Sequence, residues 1–217
     1  APRFFLDLGG SYGAAYVGNN AQADSSVPKK LVTGVEDPTP TNLKATARRA
    51  GWDCEARTVT NSMGEPVTQL RDCTVAVDQP GFVPNGALQF AAGYYVTPRL
   101  SVGVMGRVQL KAGEGTLAGM LFGGRLGYLL TKPVQKGFVA SLFAGAGFGQ
   151  IQVQPPAQAG GKKGPWVVSG LGDAQLGASL GYRFMRNIAI NVQPQTHFLL
   201  PTFLFDLDVM GAVEVSF

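Results

Sequence analysis

The stretch Phe203-Leu204-Phe205-Asp206-Leu207-Asp208-Val209-Met210-Gly211-Ala212-Val213-Glu214-Val215-Ser216-Phe217 decides the fold. Phe203, Phe205, Leu207, Val209, Gly211, Val213, Val215 and Phe217 form one alternating set, apolar throughout. Leu204, Asp206, Asp208, Met210, Ala212, Glu214 and Ser216 form the other, and it holds all three carboxylates. Successive side chains of a strand point to opposite faces, so this period of two separates an apolar face from an acidic one. A helix would scatter the same acids around its circumference. The segment is a strand.

The pattern repeats on moving back along the chain. Ile188, Ile190, Val192, Pro194, Thr196 and Phe198 alternate with Ala189, Asn191, Gln193, Gln195 and His197. From Trp166 to Phe184 the apolar and small set alternates with Ser169, Asp173, Gln175, Ser179 and Arg183. Residues 100–111 set Leu100, Val102, Val104, Val108 and Leu110 against Ser101, Arg107, Gln109 and Lys111. In residues 116–130, Ala118, Met120, Phe122, Leu126 and Tyr128 oppose Gly119, Gly123 and Arg125. Residues 138–153, 86–96 and 3–17 follow the rule less cleanly, and a phase slip near Gln150 is what a bulge produces. The result is eight strands, each long enough to cross a bilayer when tilted, for which about 9–11 residues suffice. Thr97-Pro98-Arg99, residues 131–137 and Met185-Arg186-Asn187 are short turns at one end. The other end carries residues 18–80, 111–115, 155–164 and 200–202, and an even strand number returns both termini to the short-turn side.

Composition excludes the main alternatives. The chain has 217 residues, 30 of them Gly, with only 15% charged, against about a quarter in soluble domains. At 45% hydrophobic it is neither disordered nor collagen-like, since its glycines have no fixed period. A spanning helix needs roughly 20 apolar residues, and the best uncharged run, Gly137 to Gly161, is cut by glycines and glutamines. Net charge is +4, but the 18 Lys and Arg are dispersed, which argues against nucleic acid. The opening Ala-Pro-Arg shows no leader, so the protein is either not exported or its signal peptide has been removed. Cys54 and Cys73 form an even pair in a polar stretch, which favours a disulfide and an oxidising compartment.

Aromatic residues give a further test, since lipid-facing girdles belong at both strand ends. Phe4, Tyr94, Tyr128, Phe138, Tyr182 and Phe217 fall at the short-turn end; Tyr16, Phe148, Trp166, Phe198 and Phe203 fall at the other. All lie on the apolar faces. A soluble β-sandwich also alternates, but its strands are usually shorter and its outward faces carry more Lys and Glu. The segment Val209 to Phe217, with alternating apolar positions and a last phenylalanine, resembles the terminal signal of bacterial outer-membrane proteins. That resemblance implies recognition of Val213, Val215 and Phe217 by the barrel-assembly machinery. The strand layout is similar to the small eight-stranded barrels of the OmpA, OmpX and OmpW type, over about 150 residues outside the first loop. This implies one outer-membrane domain over residues 1–217, with both termini periplasmic, in contact with outer-membrane lipid and lipopolysaccharide. The sequence departs from the family by lacking the peptidoglycan-binding domain of full-length OmpA and by its long first loop.

An eight-stranded barrel has an interior just wide enough for side chains to fill. Asp7, Arg125, Arg183 and Glu214 fall in the half nearer the short turns, and Arg107, Asp173, His197, Asp206 and Asp208 in the other. Each layer contains both signs, as buried charges require, so the residues read as an ion-pair plug, with a narrow or gated pore as the alternative. His197, facing Asp206, Asp208 and Ser169, permits a Ser-His-Asp arrangement. Barrel enzymes must meet lipid or substrate at the rim or outer face, however, and an inward histidine does not. No cofactor or metal is expected: there is one histidine, and no Cys-x-x-Cys or His-x-x-x-His spacing occurs. The run Gly145-Ala146-Gly147-Phe148-Gly149 lacks the helix and lysine of a phosphate loop and reads as barrel wall.

Residues 18–80 are too long for a plain connection. Thr41 to Arg49 reads as a short helix capped near Thr41. Cys54 and Cys73 bracket Thr58-Val59-Thr60, Asn61-Ser62-Met63-Gly64 and Val67 to Leu70, a disulfide-closed hairpin. The expected function is therefore non-catalytic: an outer-membrane barrel displaying this loop for adhesion or for docking with envelope proteins. Glycine- and alanine-rich barrels without an anchoring domain also look like outer-membrane components of gliding-motility machinery. The alternatives are an OmpW-like passage for small hydrophobic molecules and a lipid-modifying enzyme.

Overall fold

A computed structural model describes residues 4–18, 39–60, 62–75, 80–111, 119–132, 136–155, 166–200 and 204–217. Among these, the elements in chain order are β1 (Phe4–Val17), α1 (Pro40–Arg49), β2 (Trp52–Thr60), β3 (Pro66–Val75), β4 (Gly81–Tyr95), β5 (Leu100–Gln109), β6 (Met120–Leu129), β7 (Gly137–Gly149), β8 (Ile151–Val153), β9 (Val167–Ser169), β10 (Gly172–Met185), β11 (Ile188–Leu200) and β12 (Leu204–Ser216). Eight of the strands close a barrel in the order β1-β12-β11-β10-β7-β6-β5-β4. The chain divides into two compact units, the barrel and a second built from Val17–Val83 and Gln152–Val168.

Each barrel strand pairs antiparallel with its neighbour, and β12 returns to β1 in a register running from Phe5↔Ser216 to Tyr16↔Phe205. At the short-turn end the seam is held by Phe4 N–H donating to the Phe217 carbonyl (2.9 Å) and Phe217 N–H donating to that of Phe4 (3.0 Å). Closure removes the free edges that an open sheet would expose. On β12, Asp206, Asp208, Met210, Ala212 and Ser216 are buried, whereas Leu207, Val209, Val213 and Val215 are exposed. The period of two thus becomes a polar interior and an apolar exterior. Aromatic rings gather on that exterior near the short turns, where Phe4 meets Tyr94 at 5.1 Å and Phe217 at 6.2 Å, and Tyr182 meets Phe184 at 5.1 Å. Phe203 lies outside the described residues.

Some wall glycines make room for rings. A Cβ at Gly177 would stand 2.3 Å from the Phe143 ring on the inside, and one at Gly106 would stand 2.3 Å from Phe90 on the outside. The expected bulge near Gln150 is instead a break. β7 stops at Gly149, whose φ is 137°, and β8 then pairs with β9 as a separate two-stranded ribbon. Gly170, with φ 117°, breaks the expected long strand 166–184 in the same way.

In the second unit, α1 begins at Pro40, and Thr39 Oγ1 accepts from the Asn42 N–H at 3.5 Å. The cap is therefore Thr39 rather than Thr41, because proline suits the first helical position and has no N–H to satisfy. β2 and β3 form a hairpin from Trp52↔Val75 to Thr60↔Pro66. Ala47, Trp52 and Cys54 make its small core with Ala50, Leu70 and Cys73, and Cys54 is bonded to Cys73.

Candidate functional site

The barrel interior gathers side chains that lie far apart in the chain. β12 contributes Asp206, Asp208 and Glu214, β11 His197, β10 Asp173 and Arg183, β6 Arg125, β5 Arg107 and β1 Asp7. In the half away from the short turns, Arg107 has no exposed surface. Its Nη2 donates to Asp206 Oδ2 at 2.8 Å, Asp208 Oδ2 at 3.2 Å and Asn85 Oδ1 at 3.0 Å. Asn85 Nδ2 in turn donates to Asp206 Oδ1 at 2.7 Å. One guanidinium thus ties β4, β5 and β12 together.

His197 sits opposite Asp206 in the register, yet its Nδ1 lies 3.1 Å from both carboxylate oxygens of Asp173. The acidic partner in the Ser-His-Asp arrangement considered from sequence is therefore Asp173, because Arg107 and Asn85 hold the Asp206 carboxylate. The ring is wholly buried, so this histidine faces no lipid.

Nearer the short turns, Arg183 Nη2 donates to Glu214 Oε1 at 2.9 Å, and Arg125 Nη1 stands 3.9 Å from Asp7 Oδ2. Gln193 bridges that looser pair. It accepts from Arg125 Nη2 at 3.2 Å and donates to Asp7 Oδ2 at 2.5 Å. The Arg125 guanidinium also lies 3.7 Å above the centre of the Phe143 ring, a cation–π contact. Between the layers, Gln89 and Gln195 exchange amide hydrogen bonds of 3.2 and 2.5 Å, and Gln175 Nε2 donates to Gln195 at 2.7 Å. A cavity of about 40 Å³ remains in the lower half, lined in part by Asp7, Tyr95, Ser101, Arg125, Gln193 and Glu214. It has room for about three water molecules.

The charged residues singled out from sequence fall into these two layers: each arginine stands beside a carboxylate, and His197 stands beside Asp173. Asn85 and Gln89 were missed as members. Asn85 lies before residue 86, where the sequence reading begins this strand, and Gln89 lies within it, in a segment whose alternation is less clean. The sequence signal is the alternation of Phe82, Leu88 and Phe90 with Val83, Asn85, Ala87, Gln89 and Ala91, the set that the structure buries.

The hairpin offers a different kind of surface. Past Glu55, both faces of β2 are exposed or half-exposed, and Met63 at the tip is 79% exposed. Arg57 Nη2 donates to Glu55 Oε2 at 2.8 Å, and that hydrogen bond, with the charge behind it, holds the Glu55 carboxyl below its ordinary range. Arg48 and Asp53 pair at 3.4 Å, linking α1 to the hairpin base. Val213, Val215 and Phe217, the residues of the terminal signal, are exposed on the apolar face.

No protein-family model matches the chain, and neither does any curated protein. Solved structures do. Neisserial surface protein A (NspA) is 12% identical, with 99% of this chain and 97% of that one covered and a TM-score of 0.50. Ail, the attachment invasion locus protein of Yersinia pestis, is 9% identical over 100% and 99%, with a TM-score of 0.47. The N-terminal β-barrel domain of Pseudomonas aeruginosa OprF is 12% identical over 98% and 97%, with a TM-score of 0.41. At these identities the likeness, carried by the first of them, concerns the fold alone. The fold is that of the small eight-stranded outer-membrane barrels.

Proposed function

Taking the fold of a small outer-membrane barrel as the premise, we propose that this protein is a non-catalytic bacterial outer-membrane anchor whose first loop docks an envelope or surface partner. The observation that carries the reading is the division of polar chemistry between the two units. In the barrel, Arg107, Arg125, Arg183 and His197 each stand beside a carboxylate inside the lumen. The hairpin, by contrast, is fastened by Cys54–Cys73 at its base and exposed beyond it. A two-stranded ribbon alone is marginally stable at best. Closing it covalently keeps an exposed ribbon in one conformation, which lowers the ordering cost of binding.

The chain runs from β1 through residues 18–80 to β4 at the end opposite the short turns, so with periplasmic termini the hairpin is extracellular. The charged lumen supports an anchor over a passage for hydrophobic molecules, and the inward His197 supports an anchor over an enzyme. Lipopolysaccharide around the barrel, the barrel-assembly machinery reading Val213, Val215 and Phe217, and a docked motility component all fit this role. The test is a pull-down from outer membranes with the intact protein and with a chain lacking residues 20–78. Partners should be lost with the loop. An unchanged partner list would overturn docking through this loop.

A further inference from the structure

The short turns carry a charge pattern found neither in the lumen nor in the first loop. Residues 96–99, 130–137 and 185–187 contain Arg99, Lys132, Lys136 and Arg186 and neither Asp nor Glu. All four cations are exposed. Among the described residues none of them forms an ion pair. The lumen sets its arginines beside carboxylates and residues 18–80 mix acids with bases, whereas these short turns carry cations alone.

Their placement along the strands gives the rim a depth. Outward positions on β6 run through Leu126 and Tyr128 to Leu130, and Lys132 follows in the same phase. On β7, Lys136 stands two residues before the outward Phe138, and on β10, Arg186 stands two residues after the outward Phe184. Arg99 adjoins the outward Leu100, and its carbonyl accepts from the Leu129 N–H at 2.8 Å, so the turn lies against β6. Two residues of strand advance about 7 Å. Aromatic rings on a lipid-facing surface settle at the boundary between hydrocarbon and headgroups. Side chains one step beyond those rings reach headgroup depth, with their methylene stems against apolar surface and their charges outward.

We propose that the short-turn rim is a binding surface for anionic phospholipid headgroups, with Arg99, Lys132, Lys136 and Arg186 as its phosphate contacts and the adjacent aromatic belt setting their depth. A zwitterionic headgroup brings its own cation to this rim, whereas a phosphatidylglycerol headgroup brings only the negative charge. This inference rests on the membrane reading above but needs no assumption about which side of the membrane the turns face.

The test uses the full chain carrying Tyr182→Trp, reconstituted in phosphatidylcholine vesicles. Quenching of the new tryptophan is measured with brominated phosphatidylglycerol or brominated phosphatidylcholine, as a difference against the chain with only Trp52 and Trp166. The anionic lipid should associate about fivefold more strongly beside a rim cation, and 0.5 M salt should remove most of that preference. A variant combining Arg99→Gln, Lys132→Gln, Lys136→Gln and Arg186→Gln should quench equally with both lipids. The salt measurement needs no variant, so it stands even if the neutralised rim impairs folding. Equal quenching of the parent by both lipids overturns the proposal while leaving the membrane reading intact, and so does a preference that survives neutralisation. If the rim showed no lipid preference yet retained a soluble acidic polymer, the lipid assignment would fall. Quenching by neither lipid would sink the membrane reading, and this proposal with it.

Discussion

Arg107 is a charged side chain with no contact with solvent, and its value to the barrel depends on what faces it. Two carboxylates and an amide oxygen accept from its Nη2. Such an arrangement adds little net stability over apolar packing of the same volume, yet breaking it is costly, because the remaining charges stay buried. Arg107→Met should therefore lower stability by about 3–5 kcal/mol in urea unfolding from vesicles. Replacing Arg107, Asp206 and Asp208 together by Met, Asn and Asn should cost less than the single change. If the single variant were as stable as the parent, the pairing would not be structural. Gly177 poses the opposite problem, since what matters there is space. With the Phe143 ring 2.3 Å from where a Cβ would lie, Gly177→Ala should cost about 1–3 kcal/mol. Adding Phe143→Leu should recover part of that loss in the same assay. Without recovery, the ring is not what the glycine accommodates.

Between residue and barrel stand the elements, and how legible each was in the sequence followed its periodicity. β10, β11 and β12 alternate without interruption, so their faces and their lumen charges were readable directly. β4 begins at Gly81 rather than at residue 86, and its burial alternation runs straight through Pro84. The breaks at Gly149 and Gly170 depend on backbone angles that glycine permits but does not require, so composition alone could not separate a break from a bulge. Which acid pairs with His197 was likewise not readable, because period two gives the face and the side chains then settle their partners by reach. The hairpin was legible through its cysteines, and its disulfide carries a prediction at this scale. Closing a loop of this size is worth about 3 kcal/mol. Cys54→Ser with Cys73→Ser should therefore speed tryptic cleavage after Arg57 by roughly a hundredfold. The barrel strands share no part of that bond, so the barrel should stay folded, and the unheated variant should run on a gel as the unheated parent does. If the barrel were lost along with the hairpin, the two units would not be separable in stability.

For the whole molecule, the sparse charge is explained by where each charge resides. Lipid-facing positions are apolar, lumen charges sit in opposed pairs, and the basic short turns lie at one rim. A conducting pore needs a continuous water-filled path, whereas this lumen is crossed by three successive tiers of bonded side chains. These are Arg107 with Asp206 and Asp208, then Gln89, Gln175 and Gln195, then Arg125 and Arg183 with Asp7 and Glu214. The cavity of about 40 Å³ lies within the last tier and holds only a few waters. In planar bilayers the purified protein should therefore show no discrete conductance steps. Every residue of the three tiers belongs to a barrel strand, so a chain lacking residues 20–78 should be equally silent. Ion-sized openings in the intact chain would overturn the plug. Openings only after the deletion would move the barrier from the lumen to the first loop, and the loop would then be a gate rather than a docking element.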